Sequence, residues 1–189
     1  MSKSKPLVQS VSRVYVAYAA DGFELCQPVS GDGWARLAAM DRGEIDPMTV
    51  AFPKMRMIRH NMGRNLKKSD APLVTSGFLF LRMHAFEVVE GVVSKDCDCI
   101  RTMVDSSEFV CVHPRAHYDA LDESRSEIVR GQESRLILSV ERHVFLSGRI
   151  GPAALFKLSC LRFGPVYAQQ TFVDHWTRAK LSGLRFLPA

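Results

Sequence analysis

Apolar positions along this chain recur at two spacings. Short runs repeat every second residue, as in a strand, and longer runs every third or fourth, as on one face of a helix. The stretch VSRVYVAYA (Val11 to Ala19) is rich in β-branched and aromatic residues and reads as a strand. SGDGWARLAAMDRG follows, and Trp34, Leu37 and Ala38 in it predict a short helix closed by Gly43. In TVAFPKMRMI the apolar Val50, Phe52, Met55 and Met57 predict a strand. Pro53 has no amide donor, which places that strand at an edge or a bulge. GFLFLRMHAFEVVEGVV reads as strand, turn and helix, the helix carrying Ala85, Phe86, Val89 and Val92 on its apolar face. SSEFVCVHP reads as a strand ended by Pro114.

RLILSVERHVFL is the clearest strand in the pattern, with Leu136, Leu138 and Val140 alternating against Ile137, Ser139 and Glu141. The C-terminal GPVYAQQTFVDHWTRAKLSGLRFLPA predicts strand, helix, strand. The apolar face of that helix is Phe172, Val173, Trp176 and Ala179, and Gly183 is placed to stop it. Gly77 to Phe86 and Gly164 to Phe172 echo each other, each passing from glycine through an apolar strand and a polar turn into an amphipathic helix. Two occurrences do not make a repeat protein. The expected architecture is a single α+β domain over residues 1–189: a short mixed or antiparallel sheet, packed helices and strand–turn–helix units. Residues 1–10 are expected to form a flexible tail.

Composition narrows the class. At 189 residues, 47% hydrophobic and 24% charged, the chain is an ordinary globule. A domain of this size buries roughly 70% of its unfolded surface and needs no disulfide staples. Its five cysteines, Cys26, Cys97, Cys99, Cys111 and Cys160, form no CxxC pair and read as free thiols of a reducing cytoplasm. Apolar runs fall far short of a membrane span. The net charge of +5 is too mild to be a nucleic-acid signature. The charge is concentrated, however. Lys54, Arg56, Arg59, Arg64, Lys67 and Lys68 lie in a stretch with no acid at all. That stretch suits a solvated face, as charge runs commonly are, or a surface for phosphates or for the acidic face of a protein. Its one ring is His60, which leaves little to stack on bases and disfavours nucleic acid.

Candidate chemistry is thin. His113 and His117 have metal-ligand spacing only if helical, and Pro114 between them argues against a helix. Asp119, Asp122, Glu123 and Glu127 fit neither a calcium loop nor a paired-carboxylate site. They read instead as the acidic start of a helix, with Ser124 and Glu127 at capping-box spacing. Nucleophile-elbow and phosphate-loop motifs are missing from the sequence, and no cofactor or metal is implied. Two alternatives stay open: a small hydrolase or transferase using the His113–Glu127 region, and a nucleic-acid-binding module using segment 54–68.

A set of residues in the second half adds to this. Leu121, Asp122, Ser126 and Glu127 stand in mid-chain. Phe156, Lys157 and Leu158 follow an apolar strand. Val166, Phe172, Trp176 and Leu181 then lead to Gly183, Phe186 and Pro188 in a terminal G-x-x-F-x-P. Together they resemble a family of bacterial immunity proteins that accompany polymorphic toxins, the eleventh-numbered immunity family, typified by a Myxococcus protein. The likeness is best over residues 117–189 and does not extend to the first 69. This chain has VYAQQ where the family's short strand often ends in valine–serine. The resemblance implies a non-enzymatic cytoplasmic protein. Such a protein binds one cognate toxin, delivered by contact or by a secretion system, and neutralises it. It implies no catalytic residue, and the shared positions have the character of fold determinants.

Overall fold

The computed structural model describes residues 13–72, 77–132, 135–146, 148–161 and 164–189. The expected tail at 1–10 and the first residues of the strand expected from Val11 lie outside them. The fold is α+β. Its described part holds two five-stranded sheets, two small two-stranded ribbons and three helices.

The first sheet joins the two ends of the chain. Its order is β14 (Leu184–Pro188), β1 (Val14–Ala19), β13 (Tyr167–Gln169), β12 (Leu155–Leu158) and β9 (His117–Tyr118). All its pairings are antiparallel except that of β12 with β9. The second sheet runs β2 (Leu25–Pro28), β3 (Met55–Ile58), β7 (Cys97–Val104), β8 (Ser107–Pro114), β6 (Leu79–Arg82). Here β3 is an interior strand, and it begins only after Pro53, so the missing amide of that proline falls outside the ladder. The expected edge position belongs to β2 instead.

Helix α1 (Gly31–Asp41) covers one face of the second sheet. Leu37 and Met40 meet Met55, Phe78, Phe80 and Phe109 there. On the opposite face Leu79, Leu81, Val110 and Val112 pack with α2 (Met83–Val93), α3 (Gln170–Arg178) and Ala17, Leu155 and Ala168 of the first sheet. Strands buried on both faces read as continuous apolar runs, as FLFL of the edge strand β6 and FVCV of β8 do. The far face of the first sheet buries Val16, Phe156, Leu158 and Tyr167 against Ala120, Leu121 and Ile137 of the segment between β9 and β12. That segment carries the ribbon β10 (Glu127–Arg130) and β11 (Ile137–Arg142).

The two glycine-led echoes are the same motif. Residue 82 ends β6 and residue 83 starts α2, just as residue 169 ends β13 and residue 170 starts α3. The expected polar turn is absent from both steps. Arg82 and Gln169, with extended backbone, serve directly as N-caps. The stop of α3 differs from expectation. Lys180, at φ +55°, supplies the left-handed residue after the C-cap Ala179. Gly183 lies beyond the helix, against Ser69.

Candidate functional site

The basic segment is a strand that leaves its sheet and becomes a projecting hairpin. Met55 and Met57 face the core and Arg56 faces out, as the period of two requires. With the Gln27 amide oxygen turned toward it, Arg56 donates at 2.7 and 3.0 Å. The chain then passes Arg59 and folds back as β4 (His60–Asn61) against β5 (Arg64–Asn65). Asn61 faces Arg64 across a two-residue turn, Met62–Gly63, both at positive φ (+47° and +75°). This is the twist that two-residue hairpins favour.

The base of the hairpin is pinned on both sides. Arg59 Nη2 lies 2.8 Å from Asp105 Oδ2, in the β7–β8 turn. The Leu66 amide donates to the Arg59 carbonyl at 2.8 Å. Lys67 donates its amide to the Gly22 carbonyl, and its own carbonyl accepts from Glu24, both at 2.8 Å. The Lys67 ammonium sits 6.0 Å from the Phe23 ring centroid. Three of the six candidate cations are therefore anchored: Arg56, Arg59 and Lys67. Lys54, Arg64 and Lys68 are exposed and make no ion pair among the described residues. The tip residue Met62 is 96% exposed. Sequence reading found the charge but not the hairpin, although Asn61-Met62-Gly63 carried a turn signal.

His113 and His117 do come near each other, on β8 and β9 rather than on one helix. His113 is buried with its ring 4.7 Å from Phe78. Its nitrogens lie 3.9 Å from Asp41 Oδ1 and 3.7 Å from Asp98 Oδ2, too far for hydrogen bonds. Lys157 of β12, 1% exposed, donates to the Asp41 carboxylate and, at 3.2 Å, to the Asp41 carbonyl. Burial, and then the charge of Lys157, push the His113 pKa down to about 4. Burial and Lys157 lower His117 as well. His117, Lys157 and Ser159 open onto a cleft of about 270 Å³ with Asp41, Arg42 and Glu44. The pairing of Asp41 with Lys157 escaped sequence reading because 116 positions separate them.

The acids of 119–127 do not join this cluster. Asp119 pairs with Arg149 at 2.9 Å, Glu123 with Arg130 at 2.6 Å and Glu127 with Arg142 at 2.7 Å. The expected capped helix is absent. Asp122 Oδ1 instead accepts from the Ser124 amide and hydroxyl (3.2 and 2.6 Å) and from the Arg125 amide (3.2 Å), an Asx-type turn. Those hydrogen bonds from Ser124 and Arg125 hold its carboxyl below the usual range. Ser126 then accepts the Val144 amide at 2.9 Å, which commits the chain to strand β10. Among the described residues, no three His, Cys, Asp or Glu side chains converge as a metal site.

The residues that carried the resemblance are framework. Leu121 is buried and bridges Phe145. Phe156 packs between Tyr118 and Tyr167, with centroids at 5.0 and 5.4 Å. Phe172, Trp176 and Phe186 form one aromatic cluster.

No family model matches the chain, and no curated protein matches it. No described helix is long and apolar enough to cross a membrane.

Proposed function

We propose that this chain is an immunity protein: it binds one cognate toxin in the producing bacterium and neutralises it in a tight protein–protein complex, without catalysis. The observation that carries the reading is the basic hairpin, held at its base and uncommitted at its tip. A pre-organised element loses little entropy on docking, and its unpaired cations steer an acidic partner. A stable complex of this kind buries on the order of 1,600 Å² in total, with a few residues dominating. The framework role of Leu121, Phe156, Phe172, Trp176 and Phe186 agrees with the resemblance, whose shared positions set a fold rather than a reaction centre. The acids of the His113–Glu127 region are engaged in separate ion pairs, which weighs against the hydrolase reading.

The test is co-expression of the tagged chain with the product of the neighbouring reading frame, with growth scored for that product alone and for the pair. A stoichiometric complex and rescued growth are expected. A product that is harmless alone, or that forms no complex with the chain, would remove the reading.

A further inference from the structure

The hairpin tip is built against its own folding preferences. In a two-residue turn with both central residues at positive φ, the first position favours Asn, Asp or Gly. Here it holds Met62, an unbranched apolar side chain at φ +47°. Left-handed backbone is unfavourable for such a residue, and water is unfavourable for its thioether chain. Both costs fall on one residue that packs against nothing, since Met62 is 96% exposed. Strained, exposed positions held by a rigid base are where function is sought. The base here is rigid: Arg59 is tied to Asp105, and Lys67 to Gly22, Phe23 and Glu24. His60 and Arg64 lie on the two short strands that carry the tip, both exposed, and Arg64 makes no ion pair among the described residues.

We propose that the β4–β5 hairpin is an insertion element. Met62 enters an apolar recess of a partner protein, and Arg64 beside it meets a carboxylate at the rim of that recess. The occupant is thus an acidic-rimmed protein cleft, and on the reading above, on which this rests, it belongs to the toxin. The Arg64 charge selects a carboxylate, and a flexible thioether adapts to an apolar or aromatic wall. A nucleic acid would meet the same cations. It would find no use for a methionine tip, and His60 is the hairpin's only ring.

The experiment uses the full chain and two variants, Met62→Asn and Arg64→Glu. Met62→Asn supplies the residue the turn prefers, so its melting temperature equals or exceeds the wild type's while binding falls. Each protein is titrated at physiological salt with poly-glutamate, with a glutamate–tyrosine copolymer and with a short DNA duplex, read by backbone amide NMR. The expected result is perturbation confined to residues 59–67 and tighter binding of the tyrosine-bearing copolymer. Met62→Asn removes that preference, and Arg64→Glu weakens both polymers by about tenfold. Perturbation elsewhere, unchanged binding in both variants, or tighter binding of the duplex than of either polypeptide overturns the proposal. The same variants then enter the growth assay. Rescue by the wild type that Met62→Asn loses supports insertion, and rescue retained by both variants overturns it. A wild type that binds copolymer through the hairpin yet fails to rescue removes the immunity reading and leaves the docking element standing.

Discussion

A Cβ on Gly183 would fall inside the Ser69 hydroxyl, and the residue's φ of +93° is one that only glycine holds without strain. Ser69 is itself fixed. Its amide donates to Glu24 and its hydroxyl accepts from the Ala71 amide, while the neighbouring Asp70 accepts from both the amide and the hydroxyl of Ser182. Gly183 is therefore where the C-terminal segment touches the 69–71 turn. Gly183→Ala is expected to lower stability by roughly 2–4 kcal/mol in urea unfolding, since steric and backbone costs add. Lys180→Gly, at the true helix stop, is expected to gain about 0.5–1 kcal/mol. Equal, small effects at both positions would refute the division of roles. The sequence suggested glycine as the stop because stops usually are glycine. A lysine at φ +55° leaves no such mark, and a contact with residue 69 is invisible to local spacing.

The β11 strand was legible at the scale of the element, and its phase was not. Alternation set Leu136, Leu138 and Val140 against Ile137, Ser139 and Glu141 without assigning the inward row; Leu136 and Leu138 are 47% and 59% exposed, and Ile137 between them is 6% exposed. Ile137 bridges Leu161 and enters the cluster around Phe156. Two register shifts along the ribbon break the strict period of two, so alternation in sequence could not fix the inward side. Ile137→Ala is expected to cost about 2–4 kcal/mol. Leu138→Thr should stay within about 0.5 kcal/mol, as exposed substitutions do. Urea midpoints for the two variants decide the phase, and the reverse ranking would place Leu138 on the inward side. Other elements escaped for related reasons. β7 pairs with β8 along its whole length, but polar Asp98, Arg101 and Thr102 interrupt its apolar run. The Ser124–Glu127 spacing fits a capping box, yet Asp122 closes a tighter turn first. At β6–α2 and β13–α3 the sequence was sufficient for the strand and for the helix but not for their junction, where the expected polar turn is absent.

On the scale of the whole molecule, a buried ion pair ties the first sheet to the helix that covers one face of the second. Lys157 belongs to the first sheet, and Asp41 ends the helix that covers the second. Removing one partner leaves the other charged and dry. Lys157→Met alone is expected to cost roughly 3–5 kcal/mol, and adding Asp41→Asn should recover much of that. Additive losses in urea unfolding would mean that the two side chains act independently. His113 sits beside this pair, held neutral by burial and by the Lys157 charge, with its pKa at about 4. Unfolded, it titrates near 6.5. Above that pH neither state is protonated there, and its contribution is flat. Between about 6.5 and 4 the unfolded chain takes up a proton that the folded chain refuses, so stability falls as pH falls, by roughly 3 kcal/mol over the window. His117 and His143 are lowered in the same direction and add to the slope. His113→Gln removes one titrating site while keeping a polar side chain, so its unfolding free energy should decline less steeply than the wild type's between pH 6.5 and pH 4. Parallel acid limbs for the two proteins would mean that His113 is not the buried neutral group that the junction of the two sheets requires.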